Sequence, residues 1–231
     1  MDSKYQVVII NRPDSIRRRE SMIDRMKHHN LSDFVNIIPA DDNNDEFRNF
    51  IKGVENKCDD RQIRVMGSLL CHIKAMKYFI EESPCDECLI MEDDVMLHKE
   101  FRYKLNELIQ NKPSDHQCIL LAPYFTHPLD LTQQVAPFLF NHYATSIFGA
   151  SCYWITKDFA KRALDRYYKP LRDWPDFKEH YTSEYLIHYL GSYVACPPLS
   201  IEESLDSDLQ PQCHLPYKKK YWEWYGVGNY F

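Results

Sequence analysis

The sequence predicts an α/β fold: a mostly parallel sheet flanked by helices. Three observations carry that expectation. Short apolar, β-branched runs recur along the chain. Between them lie stretches whose apolar residues repeat every three to four positions. The two kinds alternate from one end to the other, the pattern of strands joined by crossover helices.

The elements follow in order. "YQVVII" (5–10) is a short apolar run and predicts a buried strand. "NRPDSIRRRESMIDRMKHHN" comes next; its Pro and Asp-Ser mark a helix start, and Ile16, Ile23 and Met26 share one helical face. "FVNIIPA" (34–40) predicts a second strand ending at "DDNNDEF". Residues 41–66 are polar and aperiodic, and predict a long loop, either a lid or a poorly ordered segment. Leu69, Ile73, Met76 and Ile80 lie at spacings of four, three and four, so 67–83 predicts an amphipathic helix starting near Gly67. "CLIM" (88–91) predicts a strand, 99–110 a helix and "CILLA" (118–122) a strand. The stretch 145–156 has strand character and 157–168 helical character; 183–190 predicts a short helix and 192–196 a strand. With no repeat, low-complexity tract or linker, residues 1–231 are expected to form a single domain.

Composition narrows the function classes. The formal charge of −6 argues against nonspecific nucleic-acid binding. No run approaches the ~20 apolar residues of a membrane span, and "MDSKYQVVII" lacks a signal-peptide layout, so an intracellular protein is expected. The eight cysteines are scattered, as small buried residues would be. Cys85 and Cys88 form one Cys-x-x-Cys pair, but a structural zinc site needs a second, and none matches.

The chemically informative stretch is "CLIMEDDV". Glu92, Asp93 and Asp94 follow directly on an apolar strand. Adjacent carboxylates repel, so either water solvates them as an acidic turn or a cation is held there. In open α/β sheets, ligands bind beyond the carboxyl ends of the strands. Hard oxygen ligands at such an end suit Mg²⁺ or Mn²⁺, which fills its shell with water and substrate phosphates.

Other segments align with this one. "VVIINRPDSIRRRE", "PADDN", the helix start Gly67 to His72, "LIMEDDV", "FGASCYWITKDFAKRAL", "YVACPPL" and "ESLDSDL" occur in that order. Together they resemble glycosyltransferase family 25, the lipopolysaccharide and procollagen galactosyltransferase family. The acid motif is the closest match. Departures are the missing Gly after "PADD" and Cys71 where the family has Ser. The resemblance implies a GT-A-type, Rossmann-like mixed sheet flanked by helices. It also implies a UDP-sugar donor, Mn²⁺ or Mg²⁺, and inverting transfer of galactose or glucose to a hydroxyl of a glycan or glycoprotein. A bacterial or viral member working in the cytoplasm fits the leaderless start.

The resemblance also distributes roles. Asp94 is the first metal ligand, with Glu92 beside it; Asp93 reaches the ribose. Asn11, Arg17 and Arg18 follow the first strand, where the uridine end would lie, and Asp41 closes the second. His72 would bind phosphate or close the donor pocket. A late histidine often joins the metal; His188 and His214 are both candidates, and His214, nearer a basic run that could meet phosphates, is taken as the ligand. The base that deprotonates the acceptor is Glu184 in "TSEYLIHYL", with Asp176 in "WPDF" second. Ser183 stands where collagen-type members carry Asp, which leaves the base open between them. The residues alone leave two rivals: a sugar-binding or adhesion module without catalysis, and a metal-dependent phosphohydrolase or nuclease. A single dense acid cluster and the negative charge speak against the second.

Overall fold

The computed structural model describes residues 5–31, 35–39, 44–125, 131–141, 147–174, 182–188, 193–203, 223 and 227–231. From the start, β1 (Gln6–Asn11) leads through α1 (Ile16–His28) to β2 (Val35–Pro39). Helices α2 (Asp45–Ile51) and α3 (Asp60–Glu82) precede β3 (Glu87–Glu92), and a tight turn joins β3 to β4 (Val95–Leu97). Then come α4 (Phe101–Asn111), β5 (Cys118–Leu120), β6 (Tyr124–Phe125), β7 (Gln134–Ala136), β8 (Leu139–Asn141), β9 (Ile147–Phe148) and β10 (Cys152–Thr156). Helices α5 (Lys157–Tyr167) and α6 (Ser183–His188) and strands β11 (Tyr193–Ala195) and β12 (Ser200–Glu202) follow.

Eight strands form one sheet in the order β2-β1-β3-β10-β5-β11-β8-β7. β1 runs parallel to both β2 and β3, with Asn11 beside Pro39 and Ile10 beside Glu92. The carboxyl ends of these three strands therefore share one edge. β10 is antiparallel to β3 and β5, and β8 is antiparallel to β11 and β7. The sheet is mixed, as the family resemblance implies, and not mostly parallel as the alternation of elements suggests. A buried apolar strand reads the same in either direction, so the run Cys152–Ile155 carries no sign of its orientation.

Side-chain alternation along the central strands splits the core in two. Val8, Ile10, Ile90, Tyr153 and Ile155 face α3 and α5 on one side. Val7, Ile9, Leu89, Met91 and Trp154 face α1 and α4 on the other. Both faces are covered, which is why β1 is buried along its whole length. On α1 the buried residues are Met22, Arg25 and Met26, whereas Ile16 is exposed, so the apolar face lies elsewhere than the Ile16–Ile23–Met26 reading places it.

The expected loop at 41–66 is largely helical. Asn44 caps α2 by accepting from the Phe47 N–H, and Phe47, Phe50 and Ile51 are buried. Asp59 and Gln62 form a capping box, so α3 starts at Asp60 and not near Gly67. A simple cap at Asn44 and a reciprocal one at Asp59 fix these starts, and the polar residues between them mask the short apolar faces. The stretch 145–156 is broken at Gly149, whose φ is +108° and where an added Cβ would meet the Ala122 carbonyl oxygen at 2.6 Å. The chain turns there before entering β10.

At the opposite end of β3 from the acids, Glu87 organises a buried charge network. Its carboxylate accepts from Lys112 and, at 2.6 Å, from His116 Nε2. Burial pushes its pKa up, but the bonds from His116 and Lys112 and the Lys112 charge outweigh burial and bring it down to about 2. A depressed carboxyl pKa stabilises the fold above the ordinary value of 4.5, and that contribution is lost as pH falls through about 2. Its size is roughly 3 kcal/mol, from 1.36 kcal/mol per pKa unit. Glu87→Ala is expected to cost about that much at pH 7, and to flatten the loss of stability between pH 4.5 and 2 seen in the parent. Urea unfolding across that range checks both.

Candidate functional site

The acid triplet occupies the β3–β4 turn, on the edge where β1, β2 and β3 end. Each flanking element fastens it. The Glu92 N–H donates to the Ser151 carbonyl at 2.8 Å, which ties the tip to the start of β10. The Asp94 carbonyl accepts from the Glu203 N–H at 2.6 Å, directly after β12. Buried Arg25 of α1 donates to the Val95 carbonyl at 3.0 Å and to Glu203 Oε2 at 2.6 Å. The turn is clamped by β12 on one side and α1 on the other.

Around the side chains, Asn11 Nδ2 at the end of β1 donates to Asp93 Oδ2 at 2.6 Å. Arg18 Nη1, in the first turn of α1, lies 3.5 Å from Asp93 Oδ1 and 3.9 Å from Asp94 Oδ2. His72 of α3 is fully buried beneath the tip, with Nε2 3.0 Å from Glu92 Oε1 and Nδ1 2.9 Å from the Tyr153 hydroxyl. The Asp94 side chain is 16% exposed, yet its Oδ1 is buried with no hydrogen-bond partner among the described residues. Asn11 Oδ1 is likewise buried and unpaired among them.

The electrostatics are those of a site with too much negative charge. Burial, then the charges of Glu202, Glu184 and Asp93, raise the Glu92 pKa to about 8 against the opposing effect of Arg18. Burial, then Glu92 and Glu202, drive Asp94 well above the usual carboxylate range. Burial lowers His72 to about 4 despite the nearby Glu184 carboxylate, so the imidazole is neutral at pH 7. Among the described residues Arg18 is the one cation that offsets these carboxylates, and buried charges of one sign need a counter-charge.

The structure thus gathers Asn11, Arg18, His72, Glu92, Asp93, Asp94 and Glu184 at one edge. Glu184 comes from the first turn of α6, which packs against α3. Arg17 is exposed on α1 and makes no hydrogen bond or ion pair with a described residue. His188 closes α6. Asp41, Asp176 and His214 lie outside the described residues. Sequence reading missed Glu202, which faces the acids because β12 pairs antiparallel with β4, Glu202 opposite Val95. Neither short strand has a periodicity long enough to announce itself, though Glu202 and Glu203 directly precede the "SLDSDL" segment.

A cation fits this donor set in a particular way. Among the described residues no three His, Cys, Asp or Glu side chains form a ready-made coordination group. The unpaired Asp94 oxygen and the neighbouring Glu92 suit an ion that takes few protein oxygens and completes its shell from phosphates and water, as Mg²⁺ and Mn²⁺ do. The seven described cysteines are all thiols, and Cys88, Cys118 and Cys152 are buried, as scattered packing residues should be.

An acid-tipped strand end in a mixed, helix-flanked sheet is a setting for binding charged ligands. The sequence pattern of glycosyltransferase family 25 (LPS biosynthesis protein) matches residues 4–176. That match covers more than half of the chain, and the chain belongs to this family of glycosyltransferases. Among solved structures, the chain is similar to a "glycosyltransferase involved in the glycosylation of the major capsid of PBCV-1". The two are 10% identical, with a TM-score of 0.46 over 93% of this chain and 91% of that one. No curated protein matches the sequence significantly. No helix among the described residues is long and apolar enough to cross a membrane.

Proposed function

We propose that this glycosyltransferase moves a hexose, galactose or glucose, from a UDP-sugar to a hydroxyl of a glycan or protein, inverting the anomeric centre and using Mn²⁺ or Mg²⁺. The observation that carries the reading is the buried, unpaired Asp94 oxygen inside a carboxylate cluster at the shared strand edge. When bound, the cation would neutralise the diphosphate and make it a better leaving group. Asp94 and Glu92 would hold it. Asn11 fixes Asp93 at 2.6 Å, and Asp93 then presents its other oxygen toward the ribose. Arg18 lies where it can shift from the acids to a phosphate. Glu184 takes the proton from the attacking acceptor hydroxyl. In this reading residues 1–231 act as one catalytic unit.

Calorimetric titration of UDP-galactose and UDP-glucose, with and without Mn²⁺, tests the reading. One of the two is expected to bind at least tenfold tighter with the ion, and Asp94→Ala to erase that difference. Equal binding of both donors with and without Mn²⁺ would remove the metal from the reading. No binding of either would remove the donor.

A further inference from the structure

Beneath the acid tip, two buried side chains that the proposed chemistry does not use directly join Glu92 in a hydrogen-bonded chain. Tyr153 of β10 and His72 of α3 are both fully buried between the sheet and α3. The Tyr153 hydroxyl is 2.9 Å from His72 Nδ1, and His72 Nε2 is 3.0 Å from Glu92 Oε1. A neutral imidazole has one N–H and one lone pair, so the contact at one nitrogen dictates the proton at the other.

Only one arrangement gives every proton of the chain an acceptor. If Nδ1–H donated to Tyr153, the Nε2 lone pair would face Glu92 Oε1 at 3.0 Å and could be paired only by a protonated carboxyl. The Tyr153 proton would then have no acceptor, because among the described residues the hydroxyl has His72 as its sole hydrogen-bond partner. In the other arrangement the Tyr153 O–H donates to Nδ1, and Nε2–H donates to Glu92. The Tyr153 hydroxyl and both ring nitrogens are then paired, as burial demands.

We propose that Tyr153 is a positioning residue of the site: its hydroxyl fixes His72 in the Nε2–H tautomer, and His72 in turn orients the Glu92 carboxylate. With Oε1 taken by His72, Glu92 turns Oε2 toward the ligand side. The order of the elements makes this possible. β10 lies next to β3 in the sheet, with Tyr153 opposite Ile90, two residues before Glu92, so its ring points to the face on which α3 carries His72. The role in catalysis rests on the transfer reading above; the tautomer does not.

The test is a long-range ¹H–¹⁵N correlation spectrum of histidine-labelled protein, without donor or metal, with the His72 signals assigned by their loss in His72→Gln. The expected spectrum shows Nε2 protonated and Nδ1 bare in the parent. In Tyr153→Phe, nearly the same shape without the hydroxyl, the two tautomers are expected to mix. Transfer kcat is expected to fall about tenfold there, as when a supporting partner of a ligand is removed. His72→Gln, which keeps an N–H for Glu92, should retain more activity than His72→Leu. A proton on Nδ1 in the parent, or an unchanged tautomer in Tyr153→Phe, overturns the inference. Because the spectrum needs no ligand, it can fail while the transfer reading stands. An absence of UDP-sugar binding would sink that reading and leave the tautomer assignment intact.

Discussion

Asp94→Asn is expected to make the metal-free protein more stable while cutting turnover at least about a hundredfold, the scale of losing one charge-stabilising group in an active site. The two effects share one cause. Asp94 sits among Glu92, Asp93 and Glu202 with Arg18 as the opposing charge, and its Oδ1 is buried without a partner among the described residues. Its pKa is raised, so the native state disfavours the ionised form. The sign follows: a raised carboxyl pKa leaves the fold unharmed at low pH and destabilises it as pH rises above the ordinary value of 3.8. An amide carries no charge and escapes that cost. The gain should therefore show at pH 8 as a melting temperature above that of the parent. At pH 4 it should vanish.

Added Mn²⁺ should reverse the ranking, because a bound cation repays the parent for its repulsion and gives the variant nothing. Thermal melts at pH 4 and pH 8, with and without Mn²⁺, read all of this in one series. A variant that melts below the parent at pH 8 without metal would show that Asp94 is satisfied in the fold. The idea of a site held in tension for a ligand would go with it.

Much of this site was legible in the sequence, and for a physical reason. Three acids after a four-residue apolar run must sit at the end of a buried strand, and parallel neighbours place Asn11 at the same edge. Helix periodicity located α3 and therefore His72, though not the start of α3, which depends on the Asp59–Gln62 capping box. What stayed illegible depends on distant pairing. β10 enters antiparallel, β4 and β12 are three residues each, and Glu202 reaches the acids only through their pairing. Tyr153 looks like any core aromatic until the sheet order sets it beside β3 and under α3. Local pattern records which face a side chain takes; it does not record which strand becomes the neighbour.

Glu184→Gln is expected to leave donor affinity within about twofold of the parent and to lower transfer by two to four orders of magnitude, the range for general acid–base groups. Glu184 is half-buried in the first turn of α6, and its charge reaches both His72 and Glu92. A glutamine keeps its size and hydrogen-bonding capacity but cannot take a proton from an acceptor hydroxyl. The competing explanation is that Glu184 merely favours the start of α6 through the helix dipole. That effect is worth only ~0.3–1 kcal/mol, and it acts on stability, not on a chemical step. The two explanations therefore separate cleanly. A helix-start residue changes the melting temperature slightly and leaves kcat alone. Replacing a base leaves the fold alone and lowers kcat. Normal transfer in Glu184→Gln would move the proton to another carboxylate. Glu202, held at the tip by the β4–β12 pairing, and Asp176 are then the next to be replaced.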